Sequence, residues 1–599
     1  MVRKPSLLIA VLIALLLVAL RTSDPPRRVI TWDVFGYYLY LPALFIHDDL
    51  GLRDRTWLDE IMVRHEPSST LYQLVDQPDR TRLIKYTSGM AAVYAPFFFA
   101  AHLLAEPLGH PADGFSPPYQ YLVAYGCLLY IIAGLFLLRS MLRRYFSERW
   151  TAVLLVLVVL GTNYLHLAVW DGNLFTHPIL FTLYAGLILA TIIWHERPTW
   201  LAALAIGISA GMITWIRPPE AIVIAIPLLW GLHGPADRAQ KWSVWRTHPG
   251  HLILIGVSFV VMLIPQAMYW RFITGDWITN SYANNPGEGF DILRPHVINY
   301  LFSFRKGWFV YTPLMILAIV GIPLLWRKHR ALFWPMAVFL VLHLWIVASW
   351  STWWYAGGSF SARSMVPVYA LLAIPLGAAL QCGWARRSLR IPIVSLLAGL
   401  LLLNLFQTWQ WHTGIIEKER MTKAYYLAIF GRTERPPHAD RLLLVGRSLV
   451  GNDVLTDTTG YARRVLFQVD HTAQEAEGFP LSDTQPFAPG PDMTYHAITR
   501  QDHAWLRTTA TLWVDSAYTG PPPLVVMTFH HRGRTYAYRT STWTIPAGAH
   551  GWQTITMDYL TPEVRDPHDN LKVYIWAQDG GDHRIGSIRV EAYERASDQ

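Results

Sequence analysis

The segment 30–50, ITWDVFGYYLYLPALFIHDDL, begins with one carboxylate, Asp33, followed at helical spacing by Tyr37, Tyr38 and Tyr40. A carboxylate held in a fixed position can accept the proton of an attacking hydroxyl group. Tyrosine rings, with an apolar body and a polar tip, favour the boundary between a membrane and water. We therefore predict a helix along the membrane surface with Asp33 at its start. The competing interpretation is a solvated helix N-cap, a position that suits Asp.

Further side chains of chemical interest lie beside apolar runs of the sequence. They are Lys85, Asp171, His177, Arg217, Arg305, Trp353, Trp354 and Arg363. Ionisable residues near the ends of membrane spans are costly to maintain, so they are candidates for function by default. Each also has an interpretation without function.

Asp171 suits a helix cap or an Asp-Gly turn, and a lone His177 in a helix is more often a packed residue than a ligand. Arg217 suits a side chain that reaches the membrane interface at a tight hairpin. Lys85 and Arg305 suit contacts with anionic lipid headgroups. The residues alone leave both sets of interpretations open.

The composition sets the class of protein that must position these side chains. The chain has 599 residues, of which 52% are hydrophobic and only 15% are charged, which indicates a polytopic membrane protein. The formal charge of +8 comes from Lys and Arg in short clusters between apolar runs. That pattern fits membrane topology and argues against a nucleic-acid-binding face. Cys127 and Cys382 imply no disulfide framework.

Hydrophobic runs predict eleven membrane-spanning helices, the first an uncleaved signal anchor. The predicted spans lie near 1–20, 119–138, 150–167, 175–194, 200–216, 219–232, 251–272, 309–326, 331–348, 365–380 and 391–411. The apolar segment 89–104 is predicted to lie at the membrane surface, because this choice places 14 basic residues in cytoplasmic loops. The short outer loops then hold little beyond Arg217 and Arg363, as the positive-inside rule requires. All the candidate loops emerge on the outer face.

The sequence divides into two predicted domains, a membrane domain at 1–431 and a second domain at 432–599. In the second, short runs rich in Val, Ile, Thr, Tyr and Trp alternate with Gly, Pro and Asp turns, which predicts an all-β sandwich. The odd number of preceding spans places it outside the cytoplasm. It resembles carbohydrate-binding jelly rolls, in which Trp543, Trp552 and Trp576 would stack on sugar rings. Burial of these tryptophans in the core is the more common alternative.

The loop motifs of the membrane domain resemble those of a known superfamily. Asp33 with its aromatic helix, Lys85-Tyr86 and Asp171 follow the layout of the GT-C membrane glycosyltransferases, such as protein O-mannosyltransferases and lipid A aminoarabinose transferases. The segments IRPPEA, YANNPGEGF, FSFRKGWFVYTP and WWYAGGSFSARSMVP are similar to bacterial members of that superfamily. The resemblance covers residues 7–411. It departs from the pattern at Val34, where O-mannosyltransferases have a second acidic residue. It also departs at Lys85-Tyr86-Thr87-Ser88, which lacks the prolines of the Lys-Pro-Pro-Leu-like stretch of aminoarabinose transferases.

The resemblance implies transfer of a sugar from a polyprenyl-phosphate donor to an acceptor hydroxyl of a glycan, lipid or protein. Asp33 would act as general base in an inverting single displacement, and Asp171 would orient the acceptor or the base. The implied substrate-binding set is Lys85, Tyr37, His177, Arg217, Arg305, Trp353, Trp354 and Arg363. Val34 in place of a second carboxylate leaves a divalent metal cofactor open. The expected location is the bacterial inner membrane, with the second domain in the periplasm.

Two other classes of function compete with this one. A flippase or transporter of lipid-linked sugars also gathers charges and aromatic rings, but near the bilayer midplane and often in repeated halves. The sequence shows no such repeat, and its charges lie in loops. A non-catalytic scaffold that presents the β domain would need one span, whereas eleven are predicted.

Overall fold

A computed structural model describes the chain except residues 1–3, 284–287, 355–358, 448–453, 473–476, 515–519, 545–548, 579–582, 596–599 and the side chain of Asp171. The chain forms two compact units. The first comprises Met1–Ala283 and Asp291–Pro437, and the second comprises Asn284–Phe290 and His438–Gln599. The first unit is helical and the second is built from β-strands, as predicted.

The helical unit contains twenty α-helices in its described residues. They are α1 (Pro5–Ser23), α2 (Asp33–Tyr38), α3 (Tyr40–Phe45), α4 (Arg55–His65), α5 (Gly89–Ala105), α6 (Pro117–Leu142), α7 (Glu148–Leu160), α8 (Tyr164–Val169), α9 (Thr176–Glu196), α10 (Trp200–Ile216), α11 (Ala225–Leu229), α12 (Pro235–Thr247), α13 (Pro249–Thr274), α14 (Val297–Phe302), α15 (Trp308–Tyr311), α16 (Leu314–Lys328), α17 (Arg330–Ala348), α18 (Tyr369–Trp384), α19 (Arg390–His412) and α20 (Lys423–Ile429). A two-stranded antiparallel ribbon, β1 (Leu74–Asp76) and β2 (Arg82–Ile84), lies between α4 and α5.

Seven helices of the described chain are long and apolar enough to cross a membrane. They are Pro5–Ser23, Gly89–Leu108, Pro117–Leu142, Thr176–Glu196, Pro249–Thr274, Arg330–Ala348 and Arg387–His412. Three shorter apolar helices are Trp200–Ile216, Pro218–Leu229 and Tyr369–Trp384. The helical unit is therefore compatible with a membrane protein, and the eleven-span topology remains a prediction.

Several predicted spans are interrupted in the structure. The predicted segment 150–167 is divided between α7 and α8, with Gly161 as the C-cap of α7. The predicted segment 309–326 is divided between α15 and α16 at Thr312 and Pro313, because proline cannot continue the helix that precedes it. The predicted segment 219–232 is a 3₁₀ turn, Pro218–Ile224, followed by the short α11.

Helix α5, predicted to lie at the membrane surface, has the length and composition of a span. It begins against the C-terminal end of α10, where a Cβ on Gly89 would lie 2.6 Å from the backbone nitrogen of Ile216, so only glycine permits this approach. It then packs on the N-terminal half of α6, where the His102 Nδ1 and the Tyr119 hydroxyl are 2.6 Å apart. These contacts fix the segment before α5 next to the end of α10.

The β unit consists of two antiparallel sheets. Its elements are β3 (Tyr461–Asp470), β4 (Phe479–Leu481), β5 (Phe487–Thr494), α21 (Tyr495–Ile498), β6 (Trp505–Val514), β7 (Leu524–His531), β8 (Arg534–Thr540), β9 (Gly551–Leu560), β10 (Asn570–Trp576) and β11 (His583–Arg595). One sheet has the order β5-β10-β7-β8, and the other has the order β3-β11-β6-β9, with β4 also paired to β11. Buried residues from both sheets form one core. Along β6, buried and partly buried positions alternate, so every second side chain faces this core.

The three tryptophans of the β unit proposed as sugar platforms differ in their surroundings. Trp543 packs against the core. Trp576 lies partly buried on β10, and its ring stacks with Phe487. Trp552 is 40% exposed and contacts Trp513 edge to face.

Candidate active site

Asp33 is the first residue of α2, and its carboxylate is not a helix cap. The N-cap residue is Trp32, and no side chain makes a capping hydrogen bond to this helix. Trp32 has a φ of 51°, a left-handed conformation that is costly for a bulky residue. The strained backbone is held by hydrogen bonds from Trp32 N–H to the Pro67 carbonyl, at 2.9 Å, and from Gln73 Nε2 to the Trp32 carbonyl, at 3.0 Å. This conformation sets the direction in which the chain enters α2.

The Asp33 carboxylate is bound by three side chains from distant parts of the sequence. Its Oδ1 accepts hydrogen bonds from the hydroxyl groups of Tyr72 and Tyr86, both at 2.7 Å. Its Oδ2 lies 3.3 Å from Nη2 of Arg363, which follows 330 residues later. The Asp33 side chain is 21% exposed and that of Arg363 is 10% exposed. The carboxylate is therefore fixed by its partners, while about a fifth of the side chain remains accessible.

The β1–β2 ribbon brings the two tyrosines to Asp33. Tyr72 precedes β1 and Tyr86 follows β2. One hydrogen bond extends the pairing past the strands, because the Lys85 N–H donates to the Gln73 carbonyl at 2.8 Å. Antiparallel pairing thus places both tyrosines at the same end of the ribbon. Neither tyrosine was predicted as a site residue, because the ribbon that brings them to Asp33 has only three residues in each strand.

Tyr37, predicted to bind substrate, packs against the Tyr86 ring with 4.6 Å between ring centroids. Burial raises the pKa of the Tyr37 hydroxyl well above its ordinary value, and the negative charge of Asp33 raises it further. The charges of Arg363 and Arg217 act in the opposite direction. The hydroxyl of Tyr37 is therefore protonated at neutral pH, and charges of both signs surround it.

Lys85 lies beside the same tyrosines and is only 3% exposed. Its Nζ is 5.5 Å from the ring centroid of Tyr72 and 5.5 Å from that of Tyr282, distances at which an ammonium group is attracted to a ring face. Its carbonyl accepts a hydrogen bond from the Ser281 hydroxyl at 2.6 Å. The structure thus places Lys85 next to a direct partner of Asp33.

Arg217 follows the last residue of α10, and its Nη1 lies 3.3 Å from Nδ1 of His177, the second residue of α9. The same Nη1 is 4.0 Å from Oε1 of Glu220. Arg217 and His177, which were predicted from separate motifs, are therefore neighbours. His177 lies in a helix as predicted, and it is 5% exposed.

Glu220 links Arg217 to the region around Arg363. Its Oε2 accepts a hydrogen bond from the Tyr184 hydroxyl at 2.5 Å and lies 3.2 Å from Nδ1 of His343. Nε2 of His343 lies 3.1 Å from the carbonyl oxygen of Ser364, the residue after Arg363. Glu220 and His343 were not predicted as site residues, although a carboxylate and a histidine within apolar helices are signals of function.

Arg305, Trp353 and Trp354 form a separate group. The Arg305 guanidinium carbon lies 4.4 Å from the ring centroid of Trp354, and its Nε donates to the Glu419 carbonyl at 2.6 Å. Trp353 and Trp354 are 8% and 5% exposed, respectively, with their rings edge to face. The described contacts of these residues do not include Asp33. Their predicted role in stacking on a sugar remains a prediction.

Lys306, beside Arg305, is buried between two loops. Its Nζ donates hydrogen bonds to the carbonyl oxygens of Ser359 and Lys418 and lies 5.0 Å from the ring centroid of Trp411. Burial lowers the pKa of Lys306 to about 7, and the positive charges of Arg305 and Arg363 contribute to the decrease. Lys306 therefore ties the loop that leads to Arg363 to the loop after α19.

Asp171 begins a 3₁₀ turn, Asp171–Leu174, but its side chain lies outside the described part of the structure. The turn is anchored by Arg21 at the end of α1, which is 1% exposed. Nη1 of Arg21 donates to the carbonyl oxygens of Val169, at 2.9 Å, and Trp170, at 3.2 Å. Helix α9 begins later, with Phe175 as its N-cap. The role predicted for Asp171 remains a prediction.

The described residues contain no group of three or more His, Cys, Asp or Glu side chains arranged to hold a metal ion. No protein-family model matches this sequence, and no curated protein sequence is similar enough to count as a match. The function is therefore argued from the site itself.

Proposed function

We propose that this protein is a membrane glycosyltransferase that moves a sugar from a polyprenyl-phosphate donor to an acceptor hydroxyl at the outer face of a bacterial inner membrane. The observation that carries the proposal is the Asp33 carboxylate, which two tyrosines and Arg363 hold in an accessible position. Such a carboxylate fits a general base, since its geometry is fixed and its side chain is partly exposed. The apolar helices of the same unit fit a lipid-linked donor.

The proposed reaction is a single displacement. Asp33 accepts the proton of the acceptor hydroxyl as its oxygen forms a bond to the anomeric carbon. The bond from that carbon to the phosphate oxygen breaks, and the phosphate leaves with the electron pair. The configuration at the anomeric carbon therefore inverts. The acceptor is a hydroxyl of a glycan, lipid or protein.

The cations near Asp33 have separate parts in this reaction. Arg363 bonds to Asp33, so it orients the base and also adds positive charge. Arg217 and Lys85 are suited to stabilise the negative charge that grows on the phosphate as the bond breaks. Tyr37 packs at the edge of the site and would contact the sugar. A divalent metal is left open, because Val34 follows Asp33 at the position where a second carboxylate would complete a pair of ligands.

The test is sugar transfer by the purified full-length protein in lipid nanodiscs, with a panel of polyprenyl-phosphate sugars and mass detection of the products. Asp33→Asn keeps the size of the side chain but cannot accept the proton, so turnover should fall by about a hundredfold or more. The matched control is Asp54→Asn, because Asp54 is the true N-cap of α4 and its Oδ1 accepts from Thr56 N–H at 2.8 Å. Asn caps a helix about as well as Asp, so the control should retain full activity.

Full activity of a normally folded Asp33→Asn would reject Asp33 as the base, and Asp171 would be tested next. Absence of transfer by the wild type with every donor would reject the transferase proposal. In that case, movement of the donor across the bilayer of proteoliposomes would support the transporter class. Its absence would leave the scaffold class.

A further inference from the structure

A cavity of about 260 Å³ lies in the β unit between β8 and β9, the outermost strands of the two sheets. Its lining residues are Arg447, Tyr536, Ala537, Tyr538, Arg539, Asp558, Tyr559, Leu560, Pro562 and Glu563. Ligand cavities commonly have volumes of roughly 300–1,000 Å³, so this one suits a small group such as one sugar residue. The tryptophans predicted to bind sugar are not among its lining residues.

Two arginines give the cavity its positive charge. Arg447 is held in place because its Nε and Nη2 donate to the carbonyl oxygens of Thr561 and Asp502, each at 2.9 Å. The Arg539 guanidinium lies 5.8 Å from the ring centroid of Tyr559. Burial raises the pKa of Tyr559 to about 12, and the charges of Arg539 and Arg447 oppose the increase. Both guanidinium groups therefore act on the same ring.

Arg539 also has a buried N–H group that can donate to a ligand. Its Nε is buried and has no hydrogen-bond partner within the described residues. A buried N–H group without a partner is costly, whereas an acceptor group from a ligand would satisfy it. The arrangement therefore favours a ligand with an acceptor oxygen, and an anionic one most strongly.

The carboxylates of the cavity do not cancel this charge. Asp558 accepts hydrogen bonds from Nε and Nη2 of Arg507, at 2.7 and 2.8 Å, and from Leu455 N–H at 3.0 Å. Its charge is thus compensated outside the cavity lining. Glu563 is the other lining carboxylate, and its single negative charge compares with the two positive charges of Arg447 and Arg539. The lining therefore keeps an excess of positive charge.

The tyrosines supply flat apolar surfaces beside the arginines. Tyr538 is 45% exposed and lines the cavity, while the Tyr536 ring is covered on one face by Arg565, whose guanidinium carbon lies 4.3 Å from the ring centroid. Sugar rings have apolar C–H faces that pack on aromatic rings. A flat ring next to two guanidinium forks therefore matches a sugar that carries a carboxylate.

We propose that this cavity binds an acidic saccharide, with its carboxylate between Arg447 and Arg539 and its ring against Tyr538. The proposal does not depend on glycosyl transfer by the helical unit. It assigns the β unit a binding function for an anionic sugar, and it uses different residues from the candidate active site.

The test is calorimetric titration of the full-length protein in nanodiscs with a galacturonic acid trisaccharide, with neutral maltotriose as the comparison ligand. The wild type should bind the acidic ligand saturably, and higher salt should weaken binding. Arg539→Gln should weaken it by about tenfold or more, since a charge-assisted hydrogen bond is lost. Arg539→Lys should recover part of the affinity. The matched control is Arg534→Gln, because Arg534 is an exposed residue of the same strand outside the cavity.

Three results would overturn the proposal. They are no saturable binding of the acidic ligand, equally tight binding of maltotriose, or equal weakening by Arg539→Gln and Arg534→Gln. Thermal unfolding of each variant shows whether a loss of binding reflects a loss of folding. If Arg539→Gln unfolds, Arg539→Lys and Tyr538→Ala decide the result, because both should weaken binding only if the cavity holds the ligand.

Discussion

The helical unit contains two carboxylates with similar partners in different surroundings. Asp33 accepts hydrogen bonds from Tyr72 and Tyr86 and pairs with Arg363. Glu220 accepts a hydrogen bond from a tyrosine and has both a histidine and an arginine within 4.0 Å. The Asp33 side chain is 21% exposed, whereas that of Glu220 is 4% exposed. The partners are alike in kind, but only Asp33 can be reached by a substrate.

The difference assigns different tasks to the two carboxylates. Glu220 is surrounded by side chains of α9 and α17, and through His343 it connects to the carbonyl of Ser364. Arg217, next to it, and Arg363, next to Ser364, are the cations proposed to face the reaction. We infer that Glu220 positions these arginines and that Asp33 takes part in the chemistry. The following predictions test this division.

The largest effect in this comparison is expected at Arg363. Arg363→Ala removes the charged partner of Asp33, and loss of one such stabilising group should lower turnover by about a hundredfold. Arg363→Lys should recover only part of the activity, because a compact ammonium group lacks the planar set of donors of a guanidinium group. The measurement is sugar transfer by each purified variant.

The control for Arg363 is Arg64→Ala, which removes an exposed arginine 3.7 Å from Asp113. Asp113 keeps its hydrogen bonds to His65 and to the N–H groups of Phe115 and Ser116, so activity and stability should change little. Wild-type turnover of Arg363→Ala, together with an inactive Asp33→Asn, would show that Asp33 acts without its arginine.

A smaller effect on turnover and a larger one on stability are expected at Glu220. Glu220→Gln keeps the volume but removes the charge that faces His343 and Arg217. Disrupting a buried charged network costs roughly 3–5 kcal/mol, so thermal unfolding should shift to a lower temperature than in Asp33→Asn. The ratio kcat/KM for the donor should fall by about tenfold, mainly through a higher KM, because the cations are displaced rather than removed.

Tyr184→Phe is the matched variant for Glu220, since it removes one neutral hydrogen bond and should destabilise by about 1 kcal/mol. The division of tasks would be wrong if Glu220→Gln melted like the wild type and lost turnover as completely as Asp33→Asn. Glu220 would then be the reacting carboxylate.

The sequence predicted several local features of the fold. The helix at Asp33, the position of His177 within α9 and the strand-rich second unit are all confirmed, because they depend on residues close together in the chain. Breaks in predicted spans were missed at Gly161 and Pro313, where single residues end or begin helices within long apolar runs. Hydropathy averaged over a window does not detect such breaks.

The contacts between distant residues could not be predicted from one sequence. Tyr72 and Tyr86 reach Asp33 only through a ribbon of three-residue strands, and Arg363 reaches it across 330 residues. Glu220 stands within the quoted IRPPEA segment, yet nothing local shows that Tyr184 and His343 meet it. Chemistry at Asp33 was therefore predicted from residue types, and its partners came from the fold.

The smallest effect is expected at Lys306, a buried ionisable group that ties the loop before Arg363 to the loop after α19. Its pKa is lowered to about 7 from an ordinary value of 10.5, mainly by burial. Between these two values the unfolded chain binds more protons than the folded one, so the free energy of unfolding should rise with pH. Below the folded pKa both states are protonated, and this contribution no longer changes.

Lys306→Met should therefore reduce the rise in melting temperature between about pH 7 and about pH 9. The exposed Lys423→Met is the control and should keep the rise. An identical pH dependence in wild type and Lys306→Met would mean that Lys306 stays charged in the folded protein, held by the Ser359 and Lys418 carbonyls.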